Sequence, residues 1–212
     1  MKLYMIPQSP AVRAVMMVAK MLELDMEQVM VDMEKKEHLS AEFMKMNPQH
    51  TVPVLNDDGL IVIDSHAIMA YLVGRYGKND SMYPSNVQMR AAIDQMMYFD
   101  ASVLQPRLGV IIKALLMGEM KTVPKEMMQP VMEAYDMMER YLQKHNYVAR
   151  DSLSIADFSV VATMTSMMHV VPMEMEKYPK IMAWMKKMEM LPVYEENQKG
   201  LDMMMCMMKK MR

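Results

Sequence analysis

The chain has 212 residues, 52% hydrophobic and 24% charged, with a formal net charge of -2. This excludes an intrinsically disordered chain and leaves no overall basic field for holding nucleic acid. The anomaly is 37 methionines against 3 phenylalanines, which points either to soft-metal or redox chemistry or to plain core filling.

Residues 3–6 (LYMI) are a strand candidate closed by Pro7. From Pro10, Val12, Val15, Met16, Ala19 and Leu22 recur at helical intervals and predict a helix to Glu23. Gln28 to Val31 reads as a second strand, and Ser40 as the N-cap of a short helix over 40–46. Val52–Leu55 and Leu60–Ile63 flank the turn residues Asn56 to Gly59, as two strands of a hairpin would. A helix follows from Ser65 to Tyr76. The order β-α-β-α-β-β-α describes an α/β unit over 1–78. Residues 79–86 (NDSMYPSN) read as a linker, and 87–212 as all helix. Within 127–142, Met128, Val131, Tyr135, Met138 and Leu142 mark one helix face. Ser154 to Asp157 has the capping-box pattern, with Leu153 and Phe158 as its hydrophobic staple. Pro179 and Pro192 are placed to start two further short helices.

Cys206 is the one cysteine, so no intramolecular disulfide, Cys-based zinc site or CxxC centre can be built. The start, MKLYMIPQSP, has neither a secretory apolar run nor an Arg-rich amphipathic pattern. No stretch approaches the roughly 20 apolar residues of a membrane span. A cytoplasmic protein is expected, without membrane or nucleic-acid partners. His145 and His169 have no second ligand at metal spacing, so no metal site is expected.

Three places could carry chemistry. Ser9 precedes the first helix, where unpaired N–H groups and the macrodipole favour an anion; it is either a simple N-cap or a hydroxyl donor to a bound anion. Val52–Pro53 is a candidate cis peptide, which would leave the Val52 backbone open to an extended peptide ligand; an ordinary loop is the alternative. Asp64 beside Ser65 could hold an ammonium and a carboxylate together, or could merely cap a helix.

The runs SPAVRAV (9–15), NPQHTVPVL (47–55), DSHAI (64–68), YFDASVL (98–104) and LSIADFS (153–159), with His38, occur in order. In them the chain resembles the cytosolic glutathione S-transferases, nearest the insect delta/epsilon group, and DSHAI leans toward epsilon. The resemblance implies a thioredoxin-like N-terminal domain, an all-α C-terminal domain, a homodimer, and glutathione as co-substrate with no cofactor. By position it implies that Ser9 bonds the glutathione sulfur and that His38 and His50 approach the glycyl carboxylate. The backbone of Val52, before cis-Pro53, would pair with the cysteinyl moiety. Asp64 and Ser65 would hold the γ-glutamyl end, with His66 beside them, and Asp157 would be a structural cap. An apolar electrophile is expected against Ile6, Ala11, Leu104, Leu108, Ile112 and Met117, with the C-terminal helix as a further wall. Ala11 stands where relatives commonly carry a second proline, and Gln105, Gly109 and Ile112 where epsilon relatives often carry aromatic or basic residues.

The chemistry needs no protein thiol. A free thiol has a pKa of about 8.5, and a donated hydrogen bond at a helix N-terminus favours its thiolate. Two rivals remain: a non-catalytic binder of glutathione or apolar ligands on the same fold, and Cu(I) binding by the methionines of 203–208. Met16, Met17, Met44, Met46, Met128, Met138, Met182 and Met190 occupy positions where relatives carry leucine or other apolar residues, which favours a methionine-filled core over metal chemistry.

Overall fold

The computed structural model describes residues 1–210. The N-terminal half runs β1 (Lys2–Met5), α1 (Pro10–Met21), β2 (Glu27–Met30), a 3-10 turn (Glu37–Leu39), α2 (Ala41–Met46), β3 (Val54–Asp57), β4 (Leu60–Ile63) and α3 (Ser65–Tyr76). The strands form one sheet in the order β2-β1-β3-β4. β1 runs parallel to β2, with Lys2 opposite Glu27. It runs antiparallel to β3, with Tyr4 opposite Val54. A right-handed crossover through α1 is what the parallel pair requires. Alternation along β1 buries Leu3 and Met5 in the main core, beside Val15 and Val18 of α1 and Ile68 and Leu72 of α3. This is the thioredoxin-like arrangement expected of the sequence.

Boundaries differ in instructive ways. β3 begins at Val54 rather than Val52, because Val52–Pro53 is cis and turns the chain before the ladder starts. It runs on to Asp57, so the turn is the pair Asp58–Gly59, both at positive φ, and the Asn56 side chain accepts the Gly59 N–H at 2.9 Å. α1 stops at Met21, two residues short of expectation, with Glu23 at φ 58 ending the segment. β2 lies one residue earlier than predicted.

The second half is helical: α4 (Val87–Phe99), a wide π-type turn (Asp100–Leu104), α5 (Gln105–Leu116), α6 (Lys125–Leu142), α7 (Ile155–Val170), a 3-10 turn (Met175–Lys177), α8 (Pro179–Glu189) and α9 (Tyr194–Lys210). α9 is long, not the short helix expected after Pro192. α7 is buried on nearly every side. Its first turn is fixed by Asp157, which accepts the N–H and hydroxyl of Ser154, the N–H of Val148 and the indole N–H of Trp184. Burial nevertheless pushes the Asp157 carboxyl up. Segment 79–86 is held to the helices by Ile155 N–H donating to Met82 O at 3.1 Å and Tyr83 hydroxyl to Asp94 at 2.9 Å. α1 packs on both α7 and α9, and this contact joins the two halves.

Methionine fills much of this core: Met17, Met69, Met96, Met138, Met164 and Met188 are essentially inaccessible. Met44 and Met190, in contrast, are exposed. The run 203–208 is spread around α9, with Met203 and Cys206 exposed and Met204 and Met208 buried. Among the described residues no helix is long and apolar enough to cross a membrane, and none of their His, Cys, Asp and Glu side chains form a group of three or more that could hold a metal ion.

Candidate active site

Ser9 ends the β1–α1 turn with extended backbone (φ -67, ψ 125), and Pro10 fills the first helical position. Pro10 lacks an N–H, which suits a position where that donor would be orphaned. The Ser9 hydroxyl makes no capping bond to α1. Its own N–H is taken by Ile6 O at 3.2 Å, which closes the turn. A hydroxyl therefore stands at the positive end of a helix, uncommitted to that helix.

It opens into a cavity of about 470 Å³ bounded by the β1–α1 turn, the loop before β3, the head of α3, and helices α5 and α9. The cavity's polar lining includes Ser9, Gln49, Thr51, Asp64, Ser65 and Gln105. Val52 and cis-Pro53 also line it, and Val52 stands outside the strand ladder. The apolar part of the lining is Ile6, Ala11, Leu108, Ile112 and Leu116, with Met204 and Met207 from α9. A smaller cavity of about 90 Å³ shares Ile112, Leu116, Met204 and Met207 with it.

Asp64 is held at φ 71 and ψ 125, a backbone conformation that residues with a side chain adopt uncommonly. Its carboxylate caps α3 by accepting the N–H groups of His66 (2.9 Å) and Ala67 (3.2 Å). The His66 ring, the capping N–H groups and the nearby charge hold the Asp64 carboxyl below its usual range. His66 does not line the cavity. It is buried behind Asp64, with Nδ1 at 3.2 Å from Asp64 and Nε2 at 3.1 Å from Asp100 Oδ2. Burial alone would lower its pKa; the bonds to Asp100 and Asp64 outweigh burial and raise it to about 9. The ring is then an imidazolium at neutral pH, donating from both nitrogens. Asp100 Oδ2 also accepts from the Ser159 hydroxyl and from Gln105 Nε2 at 2.9 Å. A charged chain thus runs from the cavity wall to the head of α7's first turns.

Several expected residues lie elsewhere. His38 and His50 have ring centroids 6.3 Å apart, close to the loop that carries Gln49 and Thr51, but neither lines the cavity. Leu104 is not a wall residue, being wholly buried, and Met117 is not one either, being 62% exposed. At about 100° per residue, Gln105, Leu108, Gly109, Ile112 and Leu116 share one face of α5, whereas position 117 falls on the opposite one. The wide turn ending at Leu104 sends that side chain inward. Sequence reasoning missed Asp100, Ser159, Leu116, Met204 and Met207. Asp100 sat in a quoted motif without a role; burial of a carboxylate leaves no local signal.

Comparison with known proteins bears on this arrangement. Family models for the glutathione S-transferase N-terminal and C-terminal domains match residues 1–74 and 89–192. Glutathione S-transferase 1 of Manduca sexta is 41% identical over 207 residues, 96% of this chain and 94% of that protein. The structure of an epsilon-class glutathione S-transferase from the housefly, Musca domestica, matches with a TM-score of 0.96 at 43% identity, covering 100% of this chain and 98% of that one. A delta-class glutathione transferase of Nilaparvata lugens matches with a TM-score of 0.92 at 31% identity, covering 100% and 99%. The chain belongs to the glutathione S-transferase family.

Proposed function

We propose that the protein conjugates the glutathione thiolate to apolar electrophiles, with Ser9 donating a hydrogen bond to the sulfur. The observation that carries this is the Ser9 hydroxyl, placed at the N-terminus of α1, not used to cap it, and lining a cavity that joins polar side chains to apolar ones. The donated bond and the helix end both favour the anion, and about 1.4 kcal/mol accompanies each unit by which the thiol pKa falls. No general base is needed; the site stabilises the nucleophile and holds the electrophile against it. Asp64 and Ser65 take the γ-glutamyl end, Val52 pairs with the cysteinyl backbone before Pro53, and His38 and His50 approach the glycyl carboxylate. Leu108, Ile112, Leu116, Met204 and Met207 form the electrophile wall. The protein acts as a cytoplasmic homodimer in this reading, and Tyr98, 72% exposed on α4, leaves apolar surface for a second copy.

A conjugation assay with a chlorinated aromatic acceptor tests the reading. Loss of a hydrogen bond to a charged sulfur is worth about 1.5–3 kcal/mol, so Ser9→Ala should lose roughly tenfold to a hundredfold in kcat/KM. A wild-type protein that binds glutathione but turns nothing over would be a binder on this fold, and the enzymatic reading would fail. Light scattering of the purified chain reports the dimer.

A further inference from the structure

Arg13 is a charged side chain sealed in the junction between the two halves, only 1% exposed. Its Nη1 donates to Asn197 Oδ1 at 2.7 Å and, at 3.4 Å, to Asn197 O and Thr165 Oγ1. Its Nη2 donates to Ala162 O at 3.1 Å and to the Ser166 hydroxyl. Nε finds no partner among the described residues. Every one of these acceptors is neutral. Buried arginines are ordinarily matched by a carboxylate, because an unpaired buried charge is costly. Burial lowers the Arg13 pKa to about 10, with Tyr194 acting weakly in the opposite direction, so the guanidinium remains charged at neutral pH.

Its place matters as much as its charge. The Arg13 N–H donates to Ser9 O at 3.0 Å, so the residue lies one turn into α1 from the proposed sulfur site. Helical side chains lean toward the N-terminus, which carries this stem back toward the β1–α1 turn. Gly200 of α9 records that approach: a Cβ there would stand 2.5 Å from Arg13 Cδ and closer still to Pro7 O. The stem, the turn and α9 therefore meet at one point. One helical turn beyond Gly200, α9 supplies Met204 and Met207 to the cavity.

We propose that Arg13 is a positioning and electrostatic residue of the thiolate site, its unneutralised guanidinium favouring the glutathione anion at Ser9 while its bonds clasp α9 against α1. This rests on the function proposed above. In general, a unit charge about 10 Å from a thiol shifts its pKa by about one unit at an effective dielectric of about 20. α7 faces Arg13 only with neutral groups; on α9 Lys199 bridges Glu195 at 2.8 Å and reaches Glu196 at 3.9 Å, and Glu196 and Asp202 line the same groove as Arg13 without bonding to it. Tyr194 is neutral because burial raises its pKa. At the cavity, Asp64 is balanced by His66, which Asp100 backs from α4's end, and His50 stands at the loop.

Two substitutions separate charge from clasp. Asn197→Asp keeps the contact and cancels the charge; Ser166→Ala loosens the contact and keeps the charge. The readout is the pH dependence of the ultraviolet absorbance of bound glutathione thiolate, alongside the kcat/KM profile. Asn197→Asp is expected to raise the thiol pKa by about one unit, with an approach to tenfold lower kcat/KM at neutral pH that is recovered at high pH. Ser166→Ala is expected to lower the melting temperature with the thiol pKa unmoved. An Asn197→Asp protein with the wild-type profile, or a Ser166→Ala protein whose pKa moves as far, overturns the proposal. So does failure of Asn197→Asp to fold, since a charged guanidinium should accept a carboxylate in that position. Absence of turnover in the wild type would instead sink the proposed function, and is read in the same assay.

Discussion

His66 should make the stability of this protein fall as pH rises through the neutral range. The buried imidazole is held between Asp64 and Asp100, and its pKa stands at about 9 against 6.5 for the free side chain. Because the folded value lies above the unfolded one, the folded state binds the proton more tightly. Its contribution is complete below about 6.5 and is lost as pH rises through about 9. The gap between those values, at about 1.4 kcal/mol per unit, amounts to about 3 kcal/mol. His66→Gln removes the charge and with it the titration. Urea unfolding at fixed protein concentration, followed by the fluorescence of Trp184, the only tryptophan, measures both proteins between pH 6 and pH 10. Wild type should lose about 3 kcal/mol more than His66→Gln across that interval. A stability difference that stays constant to within about 1 kcal/mol would show that the imidazole is neutral when folded, and the imidazolium reading of the Asp64–His66–Asp100 chain would be wrong.

Two glycines offer a controlled comparison. Gly200→Ala places a methyl against Pro7 O and the Arg13 stem and should cost about 1–3 kcal/mol, whereas Gly74→Ala, inside α3 with nothing within 4 Å, should add up to about 1 kcal/mol; thermal melts decide both. Ile112→Glu puts a carboxylate among the apolar wall residues, so KM for an apolar electrophile should rise at least about tenfold while glutathione affinity, measured by calorimetry, holds within about twofold.

The sequence was most informative where a local signal and the tertiary structure agree. α3 runs from Ser65 to Tyr76 as predicted because Asp64 caps it and Gly77 follows its end. Ser40 caps α2 through the Phe43 N–H, and the Asp58–Gly59 pair makes the tight turn its composition suits. Helix phase marks the cavity wall along α5 and misleads only where α5 gives way to the wide turn. Stepping by fours from Leu108 and Ile112 reaches Leu104, but the wide turn at Asp100–Leu104 breaks the phase there. At the other end, one residue separates Leu116 on the wall from Met117 in solvent.

The buried charges were the least legible features, and the reason is physical. Asp100 and Arg13 have short-range sequence contexts that equally suit solvent-facing residues, so nothing local marks them as inaccessible. What seals Asp100 comes from α3 and α7, and what seals Arg13 comes from α7 and α9, segments 34 to 184 residues away in the chain. Both charges were drawn inward by the packing of α1, α3 and α9 around α7, the helix with no polar face to present to solvent. α7 meets its neighbours' polar groups through few side chains: Asp157 accepts from Val148 and Trp184, Ser159 bonds to Asp100, and Thr165, Ser166 and the Ala162 carbonyl accept from Arg13. Ser159 on one side, and Thr165 with Ser166 on the other, thus mark in a largely apolar helix the two places where charge is held behind the cavity.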